Sequence, residues 1–364
     1  MNVGIIGAGQ LGRMLALAAH RLGVRCRLFD TTPDACGGQV AELHVGEMSD
    51  RTALERFADG LDVVSFEFEN VAVEAAAWLA QRLPVHPSPA ALAEAQDRLR
   101  EKQHFNQLGI PTPNFAAAHS PEDATALQAA VDQVGLPAIL KTRRLGYDGK
   151  GQSRLASPAD VAGAGRALAG QPAIIETLVP FERELSLLAV RDRKGGLAYY
   201  PLVENVHEEG ILRESRPAAD PPATALQKRA EEYTSALLRS LEYVGVLALE
   251  LFEVGGKLLA NEMAPRVHNS GHWTIEGAET SQFENHLRAI LGWPLGSTQV
   301  VGCPAMVNLV GALPDPAAVL AVPGAHLHRY GKAPRPRRKV GHVTICAPDP
   351  RTRDQRLAAL RRLL

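Results

Sequence analysis

The sequence predicts a mixed fold of the α/β and α+β classes that is divided into two or three domains. Two observations carry this prediction. The chain has 364 residues, which exceeds what one hydrophobic core usually organises at about 150 residues per domain. It also opens with a strand, a glycine-rich turn, a helix and a second strand, and the segments beyond alternate apolar runs with helical patterns and proline-rich breaks.

The composition is that of a globular protein without a strong electrostatic preference. The net charge is -1, so nothing global favours nucleic acid or a membrane surface as a partner, and an anion site has to be built locally. The four cysteines are scattered, without the spacing of a zinc site or a disulfide framework. No uncharged apolar stretch approaches the ~20 residues that span a bilayer. We expect a cytoplasmic protein that binds neither nucleic acid nor membrane.

The first segment contains a glycine-rich turn between a strand and a helix. The strand at residues 3–6 is followed by Gly7, Gly9 and Gly12, a helical pattern over residues 14–22, and a second strand that ends in Asp30. This spacing is typical of a dinucleotide-binding βαβ unit, which favours an NAD(P) site. The same glycines are compatible with a tight turn alone, or with another phosphate at the helix N-terminus.

The next strand, at residues 61–68, has acids at its carboxyl end, where open α/β sheets bind ligands. These acids are Glu67 and Glu69, and either could simply cap the strand. Prolines between residues 84 and 89 place the first domain boundary near residue 90. A helix over residues 90–108 is predicted to follow, with Asp97, Arg98 and Lys102 on a polar side that by itself indicates a solvated face.

A lysine ends the apolar strand at residues 138–141. Burying the ammonium of Lys141 there would be costly unless an anion meets it. The following loop is rich in glycine and in basic side chains, so it could cradle phosphates or close as a lid. A basic surface hairpin is the alternative, and no Walker A motif is present.

Two further segments are candidates for nucleotide binding. Residues 173–176 form a strand that ends in Glu176, and the apolar residues after it could meet an adenine edge, with Glu184 beside the ribose hydroxyls. A strand over residues 197–206 ends in His207. A lone histidine is more often a capping or core residue than a ligand.

The stretch 247–272 carries two carboxylates in a predicted β-hairpin. Glu250 and Glu262 lie on either side of Gly255-Gly256, within apolar strands. Two like charges about 4 Å apart repel by roughly 4 kcal/mol at an effective dielectric of 20, so a buried pair needs a proton or a cation. The polar run of residues 266–272 that follows is rich in hydrogen-bond donors. The two carboxylates indicate a metal site, and the donor-rich run that follows them indicates an anion site.

Six motifs in order give the chain a family resemblance: GAGQLGRM, LKTRRLGYDGKGQ, VPFERELS, ENVHEEGIL, NEMAPRVHNSGH and YGKAPRPRRKVGHVTI. The sequence resembles the ATP-grasp enzymes, and among them most closely the family of 5-(carboxyamino)imidazole ribonucleotide synthases. The resemblance implies a Rossmann-like pre-ATP-grasp domain (1–90) that does not bind NAD, a two-part ATP-grasp domain (91–290) and a small β-rich C-terminal domain (291–364).

The resemblance also assigns residues to a nucleotide and metal site. Glu250 and Glu262 would hold Mg²⁺ between the phosphates of ATP, which answers the repulsion between them. The implied ATP-binding residues are Arg98, Lys141, Gly146, Tyr147, Asp148, Gly149, Lys150, Gly151, Gln152, Glu176, Thr177, Leu178, Val179, Glu184, His207, Asn261 and Glu262.

The implied substrates are bicarbonate and 5-aminoimidazole ribonucleotide, joined through carboxyphosphate. The implied catalytic residues are Lys141, Arg266, His268, Asp148 and Lys150, and the implied substrate contacts are Glu69, Tyr147, Arg266, Asn269, Ser270, Lys332, Arg338 and Lys339. By itself, the basic tail could equally be a nucleic-acid or solubilising patch. A homodimer is a family expectation. The alternatives are a formate-using ATP-grasp relative, an NAD(P)-dependent oxidoreductase and a non-catalytic nucleotide-binding protein.

One geometric condition follows for the hairpin. With an ordinary two-residue turn at Gly255-Gly256, Glu250 would pair with Asn261 and Glu262 would point to the other face of the sheet. Both acids reach one Mg²⁺ only if the turn is odd-numbered, if a bulge intervenes, or if Glu262 lies past regular pairing. Two residues depart from the family pattern: Leu145 replaces a glycine, and Val267 replaces a proline.

Overall fold

A parallel sheet with helical crossovers forms the amino-terminal part of the chain. This computed structural model describes residues 1–119, 121, 123–146, 151–168, 170–218 and 223–364. The first elements are β1 (Asn2–Ile6), α1 (Gln10–Arg21), β2 (Arg25–Asp30), β3 (Glu42–Val45), α2 (Arg51–Ala58), β4 (Val63–Phe66) and α3 (Val73–Ala80). The strand order is β3-β2-β1-β4, and all three pairings are parallel. The predicted Rossmann-like sheet is confirmed.

The single helix predicted over residues 90–108 is wrong, because the chain forms two helices there. These are α4 (Pro89–Ala95) and α5 (Arg98–Gln107). The carboxylate of Asp97 caps α5 by accepting hydrogen bonds from the N–H groups of Leu99 and Arg100, which starts a new helix. The predicted solvated face is also wrong, since Lys102 is 1% exposed. Lys102 shares a helical stripe with the buried Phe105, and this spacing could have indicated its burial.

A smaller antiparallel sheet follows. Its elements are β5 (Phe115–Ala118), α6 (Ala124–Val134), β6 (Ala138–Thr142), β7 (Gln152–Leu155), α7 (Pro158–Ala167) and β8 (Ala173–Thr177), with strand order β5-β8-β6-β7. Lys141 pairs with Gln152, and the N–H of Thr142 donates to the carbonyl of Gly151 at 2.8 Å. The glycine-rich loop therefore joins two adjacent strands.

A nine-stranded sheet completes the fold and includes the C-terminal strands. Its elements are β9 (Arg183–Arg191), β10 (Leu197–Tyr199), β11 (Val203–Glu208), β12 (Ile211–Pro217), α8 (Ala223–Ser240), β13 (Gly245–Val254), β14 (Lys257–Ala264), α9 (Thr274–Gly277), α10 (Gln282–Leu291), β15 (Ala305–Val310), α11 (Pro316–Leu320), β16 (Ala325–Arg329), β17 (Lys339–Ile345) and α12 (Pro350–Arg361). The order is β14-β13-β9-β11-β12-β15-β17-β16, with β10 paired to β9. The strand predicted over residues 197–206 is therefore two strands. No helix in the described ranges is long and apolar enough to cross a membrane.

The central strands of this sheet are buried on both faces. Along β13, Val246 and Ala248 pack into a core shared with α1 and α10, whereas Leu247 and Leu249 pack into a second core on the opposite face. Side chains alternate between the faces with period two. Glu250 therefore continues the face of Val246 and Ala248, which is the face turned toward the first domain.

Candidate functional site

The hairpin of β13 and β14 contains a bulge at its two acids. Pairing is regular from Val254 opposite Lys257 to Leu251 opposite Ala260, and it resumes at Leu249 opposite Met263. Glu250 on β13 therefore lies opposite two residues of β14, Asn261 and Glu262. The turn is the ordinary two-residue kind, and the bulge supplies the register change that the sequence required for both acids to serve one site.

The two acids have opposite electrostatic surroundings. Burial raises the pKa of Glu250, but His268, whose Nε2 lies 3.2 Å from Glu250 Oε1, outweighs burial and brings that pKa to about 2. Burial and the charge of Glu250 raise the pKa of Glu262. Arg98 lies 3.7 Å from Glu262 Oε2. A cation between the carboxylates would relieve the repulsion that raises this pKa.

The oxygen-only donor set of the hairpin suits Mg²⁺. Within the described ranges, no group of three or more His, Cys, Asp or Glu side chains is arranged to hold a metal ion. The protein therefore offers two carboxylates, and further oxygen ligands would have to come from a bound phosphate or from water.

Two lysines converge on one buried carboxylate near the start of the glycine-rich loop. Lys141 Nζ lies 3.0 Å from Glu176 Oε2, and Lys102 Nζ lies 3.2 Å from the same oxygen. Burial raises the pKa of Glu176, but the two ammonium groups outweigh it and lower the pKa to about 2. Lys102 was not among the predicted site residues, and Glu176 holds the two lysines in place.

The segment after Glu176 has two of its amides already satisfied. The N–H of Thr177 donates to the carbonyl of Asn114 at 2.9 Å, and the N–H of Leu178 donates to the carbonyl of Pro137 at 3.0 Å. These two amides are therefore not free to meet an adenine edge. An adenine edge would have to meet the remaining backbone groups, such as those of Val179.

The glycine-rich loop is attached to α5 at its start. Arg143 and Arg144 both pair with Asp97, and the carbonyl of Gly146 accepts a hydrogen bond from Arg98 at 2.6 Å. At the far end, Gly151 has φ +68°, and a Cβ there would lie 2.6 Å from Thr142 Oγ1, so glycine is required. Four predicted residues lie outside the described residues: Tyr147, Asp148, Gly149 and Lys150.

Glu184 and His207 form a pair on adjacent strands. Nδ1 of His207 lies 2.5 Å from Glu184 Oε2. Burial lowers the pKa of His207, but its contact with Glu184 outweighs burial and raises the pKa. His207 is thus a partner of the candidate ribose-binding acid, not an isolated core histidine.

Arg266 links the hairpin segment to the first domain. Its Nε lies 2.5 Å from Oε2 of Glu69, across 197 residues of sequence. Burial raises the pKa of Glu69, but Arg266 outweighs it, so that this pKa is lowered. The strand-end acid is therefore more than a local cap, because it meets the arginine expected to bind an anion.

The polar residues after Arg266 differ in their contacts. His268 contacts Glu250 on one side and Ser270 Oγ on the other, at 2.9 Å from Nδ1. Asn269 is 8% exposed, and neither polar atom of its side chain has a partner within the described part of the chain. Ser270 is fully buried. Asn269 is thus available to a ligand, whereas the Ser270 hydroxyl supports His268.

The basic tail extends back to the first domain. Lys332 donates a hydrogen bond to Oε1 of Gln10 in α1, and Arg338 donates to the carbonyl of Ala333 at 3.2 Å. Lys339 opens β17. A cavity of about 590 Å³ lies beside Lys332, and its lining includes Arg13, Gln39 and Arg329. This segment is part of a domain junction, which argues against a merely solubilising patch.

The glycine-rich turn of the first domain does not form a dinucleotide site. The carboxylate of Glu67 accepts hydrogen bonds from the N–H groups of Gly9 and Gly12, the latter at 2.6 Å. Asp30 accepts from the N–H of Ala8 at 2.8 Å. These are the groups that a pyrophosphate and a ribose would need. The glycines let the backbone approach Glu67, and the NAD(P) hypothesis is wrong.

The chain has a three-part fold, and the two acids of its hairpin face α5, which carries Lys102, and β6, which carries Lys141. These features define the class of the protein as an ATP-grasp enzyme. Family models agree: residues 1–96 match the ribonucleotide synthetase preATP-grasp domain, residues 103–283 the ATP-grasp domain, and residues 304–356 the phosphoribosylaminoimidazole carboxylase C-terminal domain.

Comparison with whole proteins narrows the class to one family. The N5-carboxyaminoimidazole ribonucleotide synthase of Pseudomonas aeruginosa is 53% identical, over 100% of this chain and 99% of that protein. The crystal structure of the Thermus thermophilus enzyme is 57% identical, with TM-score 0.95, covering 100% and 98% of the two chains. The Aspergillus clavatus enzyme in complex with ADP and 5-aminoimidazole ribonucleotide is 31% identical, with TM-score 0.93 and coverage of 100% and 98%. The chain belongs to the N5-carboxyaminoimidazole ribonucleotide synthase family, whose members are ATP-dependent ligases of purine biosynthesis.

Proposed function

We propose that this chain carboxylates the exocyclic amine of 5-aminoimidazole ribonucleotide with bicarbonate as the carbon source and ATP as the activating substrate. The products are 5-carboxyaminoimidazole ribonucleotide, ADP and phosphate. Two contacts support the proposal: Arg266, which follows the bulged hairpin, pairs with Glu69 of the first domain, and Lys332 of the tail donates to Gln10 of the same domain. ATP chemistry and ribonucleotide binding would meet where these contacts join the domains.

The nucleotide would lie between the smaller sheet and the large sheet. Lys102 and Lys141 face its phosphates, Arg98 contacts both the loop and Glu262, and Glu184 binds the ribose with His207 behind it. Because Glu176 already neutralises part of the lysine charge, an arriving phosphate competes for these ammonium groups rather than meeting them unpaired.

Glu250 and Glu262 would hold Mg²⁺, with phosphate oxygens completing the shell. When bound, the ion would neutralise charge on the phosphates of ATP. The bulge, the oxygen-only donors and the raised pKa of Glu262 support this assignment.

The reaction would proceed in three steps. A bicarbonate oxygen attacks the γ-phosphorus of ATP, forming carboxyphosphate as the bond to ADP breaks, while Lys141 stabilises the developing charge. Carboxyphosphate then loses phosphate to give CO₂ beside Arg266 and His268. The amine nitrogen of the ribonucleotide attacks CO₂ and releases a proton. Because carboxyphosphate hydrolyses readily, water would have to be excluded from the site before it forms.

The ribonucleotide would lie between the first domain and the tail. Glu69 and Asn269 would bind its polar groups, and the tail residues Lys332, Arg338 and Lys339 would clamp its phosphate. Tyr147, Asp148 and Lys150 are proposed as further contacts on the basis of the family resemblance. The cytoplasm as the site of action and a homodimer as the working form are proposals on the same basis, and light scattering of the purified protein tests the second.

The decisive assay measures phosphate release from ATP in the presence of bicarbonate, with and without 5-aminoimidazole ribonucleotide. Incorporation of ¹³C from labelled bicarbonate into the ribonucleotide should equal the ADP formed. Formate serves as the matched control, because a formate-using ligase would release phosphate with formate and leave labelled bicarbonate unused. That result would refute the proposal.

A further inference from the structure

A buried chain of hydrogen bonds leads from β12 to the ring of His268. The hydroxyl of Ser215 donates to Asn205 Oδ1 at 2.8 Å, and Asn205 Nδ2 donates to Ser186 Oγ at 2.9 Å. The hydroxyl of Ser186 donates to Ser270 Oγ at 2.8 Å, and Ser270 Oγ lies 2.9 Å from His268 Nδ1. The chain thus crosses three adjacent strands before it reaches the ring.

Burial makes the direction of this chain matter. Ser186, Ser215 and Ser270 are fully buried, and Asn205 is 7% exposed, so water does not compete for these groups. Each hydroxyl has one proton to give. Ser270 Oγ accepts a hydrogen bond from Ser186 and lies 2.9 Å from His268 Nδ1, so its own O–H can donate to that ring nitrogen.

A second contact supports the same assignment. The backbone N–H of Ser270 also points to His268 Nδ1, at 3.4 Å. A ring nitrogen that accepts hydrogen bonds has no proton in the neutral imidazole. The ring proton therefore belongs on Nε2, which lies 3.2 Å from Glu250 Oε1.

The main chain of His268 is held as firmly as its ring. Its N–H donates to Gln282 Oε1 at 2.8 Å, and its carbonyl accepts from Gln282 Nε2 at 2.6 Å. Gln282 is fully buried. With both the backbone and Nδ1 fixed, only the Nε2 edge of the ring is turned toward the acid pair.

We propose that Ser186, Asn205 and Ser215 are positioning residues that hold His268 as the Nε2-protonated tautomer, with Nε2–H directed at Glu250 and the bicarbonate position. This inference rests on the proposed function, because it concerns the same site. The tautomer presents a hydrogen-bond donor, rather than a lone pair, to the anionic intermediate formed there. Because the three residues are buried, they would act on the site through His268 rather than on substrate directly.

The test is the ¹⁵N spectrum of the histidine rings in the full-length protein, with His268 assigned by the signal lost in His268→Gln. Wild type should show Nε2–H at His268. In Ser186→Ala, the Ser270 hydroxyl loses the contact that orients it and can turn its proton away from Nδ1, so the Nδ1–H form should increase. Carboxylation kcat should fall about tenfold, as is typical when a residue that orients an active-site histidine is removed, with KM for ATP unchanged.

Two further variants separate positioning from simple destabilisation. Thr234→Val removes another fully buried hydroxyl, which donates to the carbonyl of Ala230 at 2.8 Å, and should leave the His268 signals unchanged. Asn205→Leu breaks the chain one step earlier and should shift the tautomer in the same direction, so it serves if Ser186→Ala does not fold.

Nδ1–H in the wild type, or an unchanged tautomer in both chain variants, would overturn the inference. The spectra do not depend on the reaction. A tautomer shift in a protein that does not carboxylate the ribonucleotide would therefore refute the proposed function and leave the inference about His268 standing.

Discussion

At the scale of single residues, the role of each charged side chain is defined by the groups that it contacts. Lys102 and Lys141 are both nearly buried, and they share one carboxylate oxygen of Glu176. Glu69 and Arg266 form an ion pair although they lie far apart in the sequence. Buried charges persist in proteins only when they are paired in this way, so each of these residues has a structural role as well as a proposed functional one.

Glu262→Gln should abolish ATP turnover with little loss of stability. The substitution removes a proposed Mg²⁺ ligand, and it also removes the repulsion with Glu250 that raises the pKa of Glu262. ADP formation and urea unfolding measure the two effects separately. Glu279→Gln, at an exposed acid, is the control and should retain full turnover. Normal turnover in Glu262→Gln would refute the metal assignment.

Arg266→Ala should reduce product formation far more than ATP binding. The side chain of Arg266 is 15% exposed, and the loss of such a cation beside a developing anion typically costs about 10²-fold or more in kcat, whereas KM for ATP should change little. Product formation and ADP formation are measured in parallel.

The same substitution leaves Glu69 without its partner, so stability should also fall. In the double variant Arg266→Ala with Glu69→Gln, stability should recover because the unpaired charge is gone. Product formation should remain low. Unchanged carboxylation by Arg266→Ala would count against its role.

At the scale of elements, irregularities place the site. The bulge brings Glu262 to the Glu250 side of the hairpin, and the break between α4 and α5 lets Asp97 tether the start of the glycine-rich loop. Leu145 in that loop has φ 64°, a left-handed conformation that costs an L-residue roughly 1–2 kcal/mol. The departure from the family glycine therefore has a measurable energetic cost.

Leu145→Gly should raise the free energy of unfolding by up to about 1 kcal/mol, because glycine adopts this φ without strain. The greater entropy of glycine in the unfolded chain offsets part of the gain. Leu145 is 68% exposed, so little apolar contact is lost. Urea unfolding provides the measurement. The control Leu17→Gly alters an exposed leucine inside α1 and should instead lower stability by about 1 kcal/mol. Equal destabilisation by both changes would show that Leu145 is not strained.

At the scale of the whole molecule, a buried histidine joins the first domain to the large sheet. His286 Nδ1 accepts from the N–H of Val246 at 3.0 Å, so its proton lies on Nε2, which faces Ser65 Oγ at 2.7 Å. His286 is fully buried. Burial lowers its pKa from 6.5 to about 3. The interface therefore depends on this histidine staying neutral.

The sign of the pH effect follows from that lowered pKa. The unfolded chain binds a proton at His286 below about pH 6.5, and the folded protein does so only near pH 3. This contribution to stability is complete above pH 6.5 and is lost as the pH falls toward 3, by at most about 1.4 kcal/mol per pH unit. His286→Gln should flatten the dependence of unfolding free energy on pH between 4 and 6. The exposed His326→Gln should not, and equal slopes in all three proteins would refute the assignment.

Much of the fold was predictable because it depends on local periodicity and turn chemistry. The first parallel sheet, the strand that ends in Lys141 and the hairpin at Gly255-Gly256 could all be recognised in the sequence. The helix predicted over residues 90–108 is wrong because Asp97 is a helix cap and not a surface charge. The site residues could be proposed only through six motifs of a known family, since no local rule joins Glu69 to Arg266.

The hairpin of β13 and β14 shows which features follow from the sequence and which follow only from the tertiary structure. The sequence by itself determined that two carboxylates lie among apolar residues and require a cation or a proton, because that follows from charge and burial alone. Only the tertiary structure decided that a bulge sets Asn261 and Glu262 opposite Glu250, and that Glu67 occupies the first glycine-rich turn. The turn residues specify the ordinary register of the hairpin, but the bulge and the pairing of Glu67 with a distant turn depend on packing that local sequence patterns do not specify.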